Sequence, residues 1–148
     1  MGVQIRRAVP AEAGSLAALW LRSRSASVPS IPPIVHTDEE VHQWFEEVVL
    51  PTYEVWVADN GDRVIALMVL DQASLDQLYV DPAATGRGIG GALLEHAMVL
   101  RPSGLTLWTF QSNLSARRFY EAHGFVPIAM TEADNEERAP DVCYQWPS

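Results

Sequence analysis

The sequence predicts an α/β domain built on a central mixed, mostly antiparallel sheet with helices on both faces. Three observations carry the prediction. Strand-like and helix-like patterns alternate along the whole chain, residues 1–148, with no repeat or linker, so one domain is expected. A polar turn, Asp59-Asn60-Gly61-Asp62, sits between two apolar runs and reads as an antiparallel hairpin. An apolar strand, a glycine-rich turn and an apolar helix follow one another over 78–94, as expected of a helix-covered sheet.

The elements can be justified in order. Residues 3–8 alternate like a strand. Pro10 then opens a helix over 11–25, with Leu16, Leu19 and Trp20 on one face. Pro29, Pro32 and Pro33 remove donors and fix φ, so 28–35 cannot be regular helix. Thr37 and Glu40 have the spacing of a capping box, which launches a helix through Val49. Residues 53–58 and 64–70 make the hairpin, and 74–80 pairs next. A helix follows the glycines to about Leu100, 105–111 is a strand, and 113–123 is a helix that Gly124 stops. Strands 125–130 and 142–146 flank an acidic loop.

Composition limits the function. A chain of 148 residues, 48% hydrophobic with five Trp, can bury a substantial core. A single cysteine, Cys143, permits no internal disulfide and fits a reducing compartment. Residues 1–7 carry no apolar signal core and no apolar run is long enough to span a bilayer, so a cytoplasmic protein is expected. A net charge of -9 argues against nucleic acid and anionic membrane as partners, and favours cationic substrates such as amines. A homodimer stays open.

The chemistry is concentrated between Leu78 and Leu94. Leu78, Tyr79 and Val80 lead through Asp81-Pro82-Ala83-Ala84 to Thr85, Gly86, Arg87, Gly88, Ile89, Gly90 and Gly91, where a helix begins. Glycines at that junction let a ligand approach the backbone, and the helix N-terminus offers free amides and a positive dipole end. A phosphorylated cofactor is the expected ligand. Gly86, Gly88 and Gly91 match the spacing of a dinucleotide site, but no acid follows the next strand, which weakens an oxidoreductase reading. No Gly-Lys-Ser/Thr follows either, which excludes a nucleotide-triphosphate loop.

A second block comprises Leu105-Thr106-Leu107-Trp108-Thr109-Phe110-Gln111-Ser112-Asn113 and then Phe119-Tyr120-Glu121-Ala122-His123-Gly124-Phe125. The two blocks together resemble the GNAT superfamily of acyl-CoA-dependent N-acetyltransferases, closely over 75–125. The resemblance implies acetyl-CoA as co-substrate, no metal, and a pyrophosphate held by the glycine loop. It implies that a backbone amide of Leu78, Tyr79 or Val80 faces the acyl oxygen and that Asn113 contacts the pantetheine arm. It implies that Tyr120 protonates the departing thiolate. The chain departs from the family at Thr85, where Gln or Arg is usual, and at Trp108, where N-terminal acetyltransferases carry a glutamate base. A small-molecule amine is the expected acceptor, attacked directly in a ternary complex. Protein acetylation or a non-catalytic coenzyme A-binding module are the alternatives.

The general base is open between Asp76, His36 and water. Period two sets Asp76 on the face of Leu78 and Val80. His36 has a suitable ordinary pKa of about 6.5. His42, His96 and His123 read as structural, with no metal-ligand spacing to each other or to Cys143. By the resemblance, 25–36 and 131–141 line the acceptor site. The second carries Glu132, Asp134, Glu136, Glu137 and Asp141, which could hold a cation. Trp20, Trp56 and Trp146 read as core, and Trp44 as core or as a ligand platform.

Overall fold

The run Val64-Ile65-Ala66-Leu67-Met68-Val69-Leu70 has no polar face, and in the structure it is an inner strand buried on both sides. The computed structural model describes residues 2–132 and 135–147. Its first half contains strand β1 (Gln4–Arg7), helices α1 (Ala13–Ala26), α2 (Asp38–Trp44) and α3 (Leu50–Thr52), and strands β2 (Glu54–Asp59) and β3 (Val64–Asp71). Strand β4 (Ser74–Val80), helix α4 (Ile89–Leu100), strand β5 (Leu105–Phe110) and helix α5 (Leu114–Ala122) follow. Strands β6 (Val126–Met130) and β7 (Asp141–Trp146) end the chain.

Seven strands form one sheet in the order β1-β2-β3-β4-β5-β7-β6. Every pairing is antiparallel except β4 with β5. The mixed, mostly antiparallel sheet expected from the sequence is therefore present. Alternate residues of β3 feed two cores. Met68 and Leu70 join Leu93, Leu94, Leu105, Phe125 and Tyr144 under α4 and α5, while Leu67 and Val69 join Leu16, Trp20, Val41 and Phe45 under α1 and α2. Each face of the sheet is covered by helices because each buries its own apolar stripe.

The capping box forms as the spacing predicts: Glu40 N donates to Thr37 Oγ1 at 3.1 Å and Thr37 N donates to Glu40 Oε1 at 2.8 Å. The helix it starts runs past Val49, where the sequence reading ended it. A π-helical turn at Phe45–Val49 links α2 to α3, and the Leu50 amide bonds the Phe45 carbonyl. Pro51 has no N–H to lose there, and the widened turn clears its ring from the preceding carbonyls. Of the tryptophans, Trp20 is buried, and Trp56 and Trp146 are partly buried against the α4/α5 core.

Asp81 ties the glycine loop to α1. It is only 3% exposed, accepts from Ala83 N at 3.1 Å, and pairs with Arg22 at 2.8 Å. Burial alone would raise its carboxyl, but the Ala83 amide and the Arg22 guanidinium outweigh burial and hold it below the ordinary range. A depressed carboxylate pKa stabilises the fold above the unfolded value, about 3.9. Asp81→Asn should cost about 1–3 kcal/mol at neutral pH. Paired urea titrations should find that deficit shrinking as pH falls through the depressed value; a deficit independent of pH would refute the assignment.

Candidate active site

The sheet is opened by its one parallel pairing. Only Ser74↔Thr106 is in register between β4 and β5. β4 nevertheless stays with β3 as far as Ala66↔Val80, and β5 stays with β7 as far as Phe110↔Asp141. Two intact half-sheets thus diverge, and the inner edges of β4 and β5 face a gap. A bulge marks the divergence. Gln77 faces Val69 and Leu75 faces Leu70, which leaves Asp76 as the extra residue. The bulge interrupts period two, so the alternation expected to align Asp76 with Leu78 and Val80 does not hold through it.

The gap continues into a cleft of about 360 Å³. Leu78, Tyr79 and Val80 line one side, and Trp108, Thr109 and Phe110 the other. Thr85, Gly90, Asn113 and Tyr120 also line it. The structure therefore unites seven of the residues picked from the sequence. Gly86, Arg87, Gly88, Ile89 and Gly91 do not line the cleft; they shape the loop beside it. Gly86 and Gly88 have φ of 78° and 77°, the left-handed region that favours glycine. Gly88 is the N-cap of α4 and offers no side-chain cap. The first helical bond is Ala92 N to Gly88 O at 3.0 Å, so the amides of Ile89, Gly90 and Gly91 lack intrahelical partners. Ile89 anchors the turn in the core, and Gly91 lies under His123. Nothing stands within 4 Å of where a Cβ would sit at Gly86 or Gly88. Open amides, a dipole end and exposed Arg87 fit a phosphate-bearing cofactor. Thr85 turns its hydroxyl to Pro82 O at 3.2 Å.

Asn113 Oδ1 accepts from Ala116 N at 3.2 Å and caps α5. One helical span later, Tyr120 packs against Phe119 and Phe125 with ring centroids 5.2 and 5.7 Å away. Burial, with a smaller contribution from Tyr79, holds its phenol well above the usual tyrosine range. Tyr120 and Asp76 line a narrower cavity of about 90 Å³ together with Leu78, Tyr79 and Trp108. Asp76 is exposed along one side, and partial desolvation of its carboxyl, opposed by a hydrogen bond with Gln77, lifts it above its ordinary value.

A third cavity, about 330 Å³, lies on the α1/α2 face and meets the others at Gln77, which lines both it and the Asp76 cavity. Its apolar walls include Trp20, Ile34, Val41 and Trp44, with Trp20 and Trp44 edge to face at 5.8 Å. Its charged groups are Arg24, His36, Glu40, Glu136 and Glu137. Trp44, which the sequence left open between core and site, is both core-packed and cavity-lining. The acidic loop engages this chain's own basic side chains: His36 Nε2 is 3.1 Å from both Glu136 oxygens, and Arg24 is 4.0 Å from Glu137. Asp141 bonds Thr131 and Asn135 instead. Asp134 lies outside the described residues. His36 sits in this cavity rather than in the one lined by Tyr120, so the structure brings Asp76 and not His36 beside Tyr120.

Sequence reasoning missed Arg24, Thr109 and Phe110. Arg24 left a signal, because Leu16, Trp20 and Arg24 stand four apart on one helical face that is buried throughout.

Comparison with known proteins follows from this geometry. Residues 51–127 match the acetyltransferase (GNAT) domain family. The chain is 34% identical over 139 residues to the peptidyl-lysine N-acetyltransferase YjaB of Salmonella typhimurium, covering 91% of each. The chain belongs to the GNAT acetyltransferase family. It is an acyl-CoA-dependent N-acetyltransferase. Among solved structures, apo YjaB of Escherichia coli superposes with a TM-score of 0.80 at 29% identity, over 99% of this chain and 98% of that one. The PaiA N-acetyltransferase of Thermoplasma acidophilum, solved with coenzyme A, shares the fold (TM-score 0.74, 18% identity, 98% of each chain). The GNAT fold is thus the frame for the opened sheet, and a dinucleotide oxidoreductase is displaced as a reading.

Proposed function

We propose that this GNAT enzyme transfers the acetyl group of acetyl-CoA directly to a primary amine. The observation that carries the reading is a run of three cavities along β4: the cleft beside the glycine loop shares Tyr120 with the narrow cavity that Asp76 lines, and that one shares Gln77 with the cavity on the α1/α2 face. Acetyl-CoA supplies the acetyl thioester, so a C–N bond forms as a C–S bond breaks. The uncapped amides of Ile89, Gly90 and Gly91 suit its phosphates, and the unpaired inner edge of Leu78–Val80 suits amides of its pantetheine arm. A backbone amide of Leu78, Tyr79 or Val80 is available to the acyl oxygen.

Two proton movements remain. Asp76 is suited to take the proton that the amine gives up, since its raised pKa brings it nearer to working pH than an ordinary aspartate. Tyr120 stays protonated because burial raises its phenol, and it is suited to give its proton to the departing sulfur. Cys143 lines none of the three cavities, and burial raises its thiol, which favours direct transfer over an acyl-cysteine.

A lysine side chain of a protein is a second reading of the acceptor, supported by relatives named peptidyl-lysine N-acetyltransferases. A thiol-release screen over small amines, amino acids and lysine peptides tests the reaction itself. No release with any amine would refute it.

Two variants test the assignments. Gly88→Asp should weaken coenzyme A binding more than tenfold, above roughly 1.4 kcal/mol, and more than Gly88→Asn does, since both side chains tolerate a left-handed backbone and only one is charged. Equal affinities by calorimetry would remove the phosphate from this loop. Tyr120→Phe keeps the packed ring and should lower kcat by about 10²-fold with KM for acetyl-CoA nearly constant. Asp76→Asn should lose most activity near neutral pH, where the aspartate is ionised and the amine still charged, and the loss should shrink once the pH passes the amine's own pKa. Wild-type kcat in Tyr120→Phe would assign the proton to water.

A further inference from the structure

Arg24 is a buried cation with most of its hydrogen-bonding capacity unspent. The residue is 5% exposed, yet among the described residues its Nε has no partner. The guanidinium reaches Pro32 O at a long 3.4 Å and Glu137 only at 4.0 Å. The Tyr79 hydroxyl is a further neighbour that the guanidinium engages, so a fork of five N–H donors meets two neutral oxygens and a distant carboxylate, and Nε stays unmet. Its face lies over Trp20, 5.0 Å from the ring, which favours the charge but leaves the in-plane N–H groups unmet. Buried charge in this state is costly unless a further acceptor arrives. The group lines the acceptor cavity, so a ligand can supply it.

We propose that Arg24 receives a carboxylate of the acceptor, so that the acceptor is an amino-carboxylate: a primary amine a few bonds from a carboxylate, on an apolar body. The inference rests on the amine-acetyltransferase reading above and names its substrate class. A carboxylate matches the guanidinium fork in two parallel hydrogen bonds, which fixes orientation as well as affinity. Gln77 stands in the same cavity as Arg24 and also lines the one that holds Asp76 and Tyr120. A carboxylate held at Arg24 keeps an amine a few bonds away close to that shared wall. Trp20, Ile34, Val41 and Trp44 provide the apolar surface for the rest of the molecule. Glu40, Glu136 and Glu137 would repel a bare anion, whereas a zwitterion carries its own compensating charge. A lysine amine within a protein has no carboxylate near its nitrogen.

The test compares L-leucine, L-methionine and L-phenylalanine with their carboxamides, and with an end-capped peptide containing one lysine, by thiol release from acetyl-CoA. The carboxamides have the less basic amines, so intrinsic reactivity at neutral pH favours them. The free acids should nevertheless lead by about tenfold or more in kcat/KM, mainly through KM. In Arg24→Gln that ratio should collapse toward one. Carboxamides or the capped peptide equalling the free acids in the wild type would overturn the proposal. So would an unchanged ratio in Arg24→Gln, which would reduce Arg24 to packing. Calorimetry on the wild-type protein with coenzyme A supplies an arm free of folding effects and of turnover. L-Leucine should bind at least about tenfold tighter than its carboxamide; equal binding, or none, overturns the carboxylate site. Absent thiol release with retained carboxylate binding would instead defeat the acetyltransferase reading alone.

Discussion

The divergence of β4 from β5 after one registered pair is the constraint on which the rest depends. A sheet interior normally satisfies every backbone donor and acceptor, and unmet groups there are costly. Here the cost is confined to two inner edges, because β3 holds β4 to its last residue and β7 holds β5 likewise. Neither strand frays, so the gap is a rigid V. The Asp76 bulge lies where the ladder lets go, and bulges characteristically bend a strand and terminate pairing. The polar groups left over along the edges are then available to a ligand that carries amides.

Each wall of the V is served by different structure. On the α4/α5 face, the turn after β4 delivers helix amides, and α5 carries Tyr120 toward the gap at a register fixed by its Asn113 cap. On the α1/α2 face, aromatic rings and a clamp of His36 on Glu136 enclose a separate space. The cleft itself reaches both faces, since Ser23 of α1 and Ser27 just after it line it together with Phe119 and Tyr120 of α5. Asp81 couples the two faces, since one carboxylate caps the turn before the glycines and pairs with Arg22 of α1.

Much of this was legible in the residues. The hairpin at Asn60-Gly61, the Thr37–Glu40 box and the glycine-to-helix junction are local signals, and local chemistry alone determined them. Strand order and the face of Asp76 were not legible, because a bulge depends on what β3 offers across the ladder rather than on β4 itself. The π-helical turn escaped notice for a similar reason: it answers to Pro51 several residues downstream. Arg24 was not singled out, although the Leu16–Trp20 stripe points at it. Its burial requires the Pro-rich loop and the acidic loop, both distant in sequence, to close over α1.

The charge distribution explains how an acidic protein of net charge -9 can serve an anionic cofactor. Lysine or arginine clusters are not the means, since the glycine loop carries only Arg87. In the reading proposed above, backbone amides are: their partial charges would sit within hydrogen-bond range of a bound anion, where they act at full strength. The surface carboxylates act from farther away and are screened over about 8–10 Å at ordinary ionic strength. Proximity therefore outweighs net charge at the loop. The acceptor side inverts the arrangement, with carboxylates at the rim and a single guanidinium buried among aromatic rings. There the long-range field draws in a positive group, and the short-range fork of Arg24 is left to select what accompanies it.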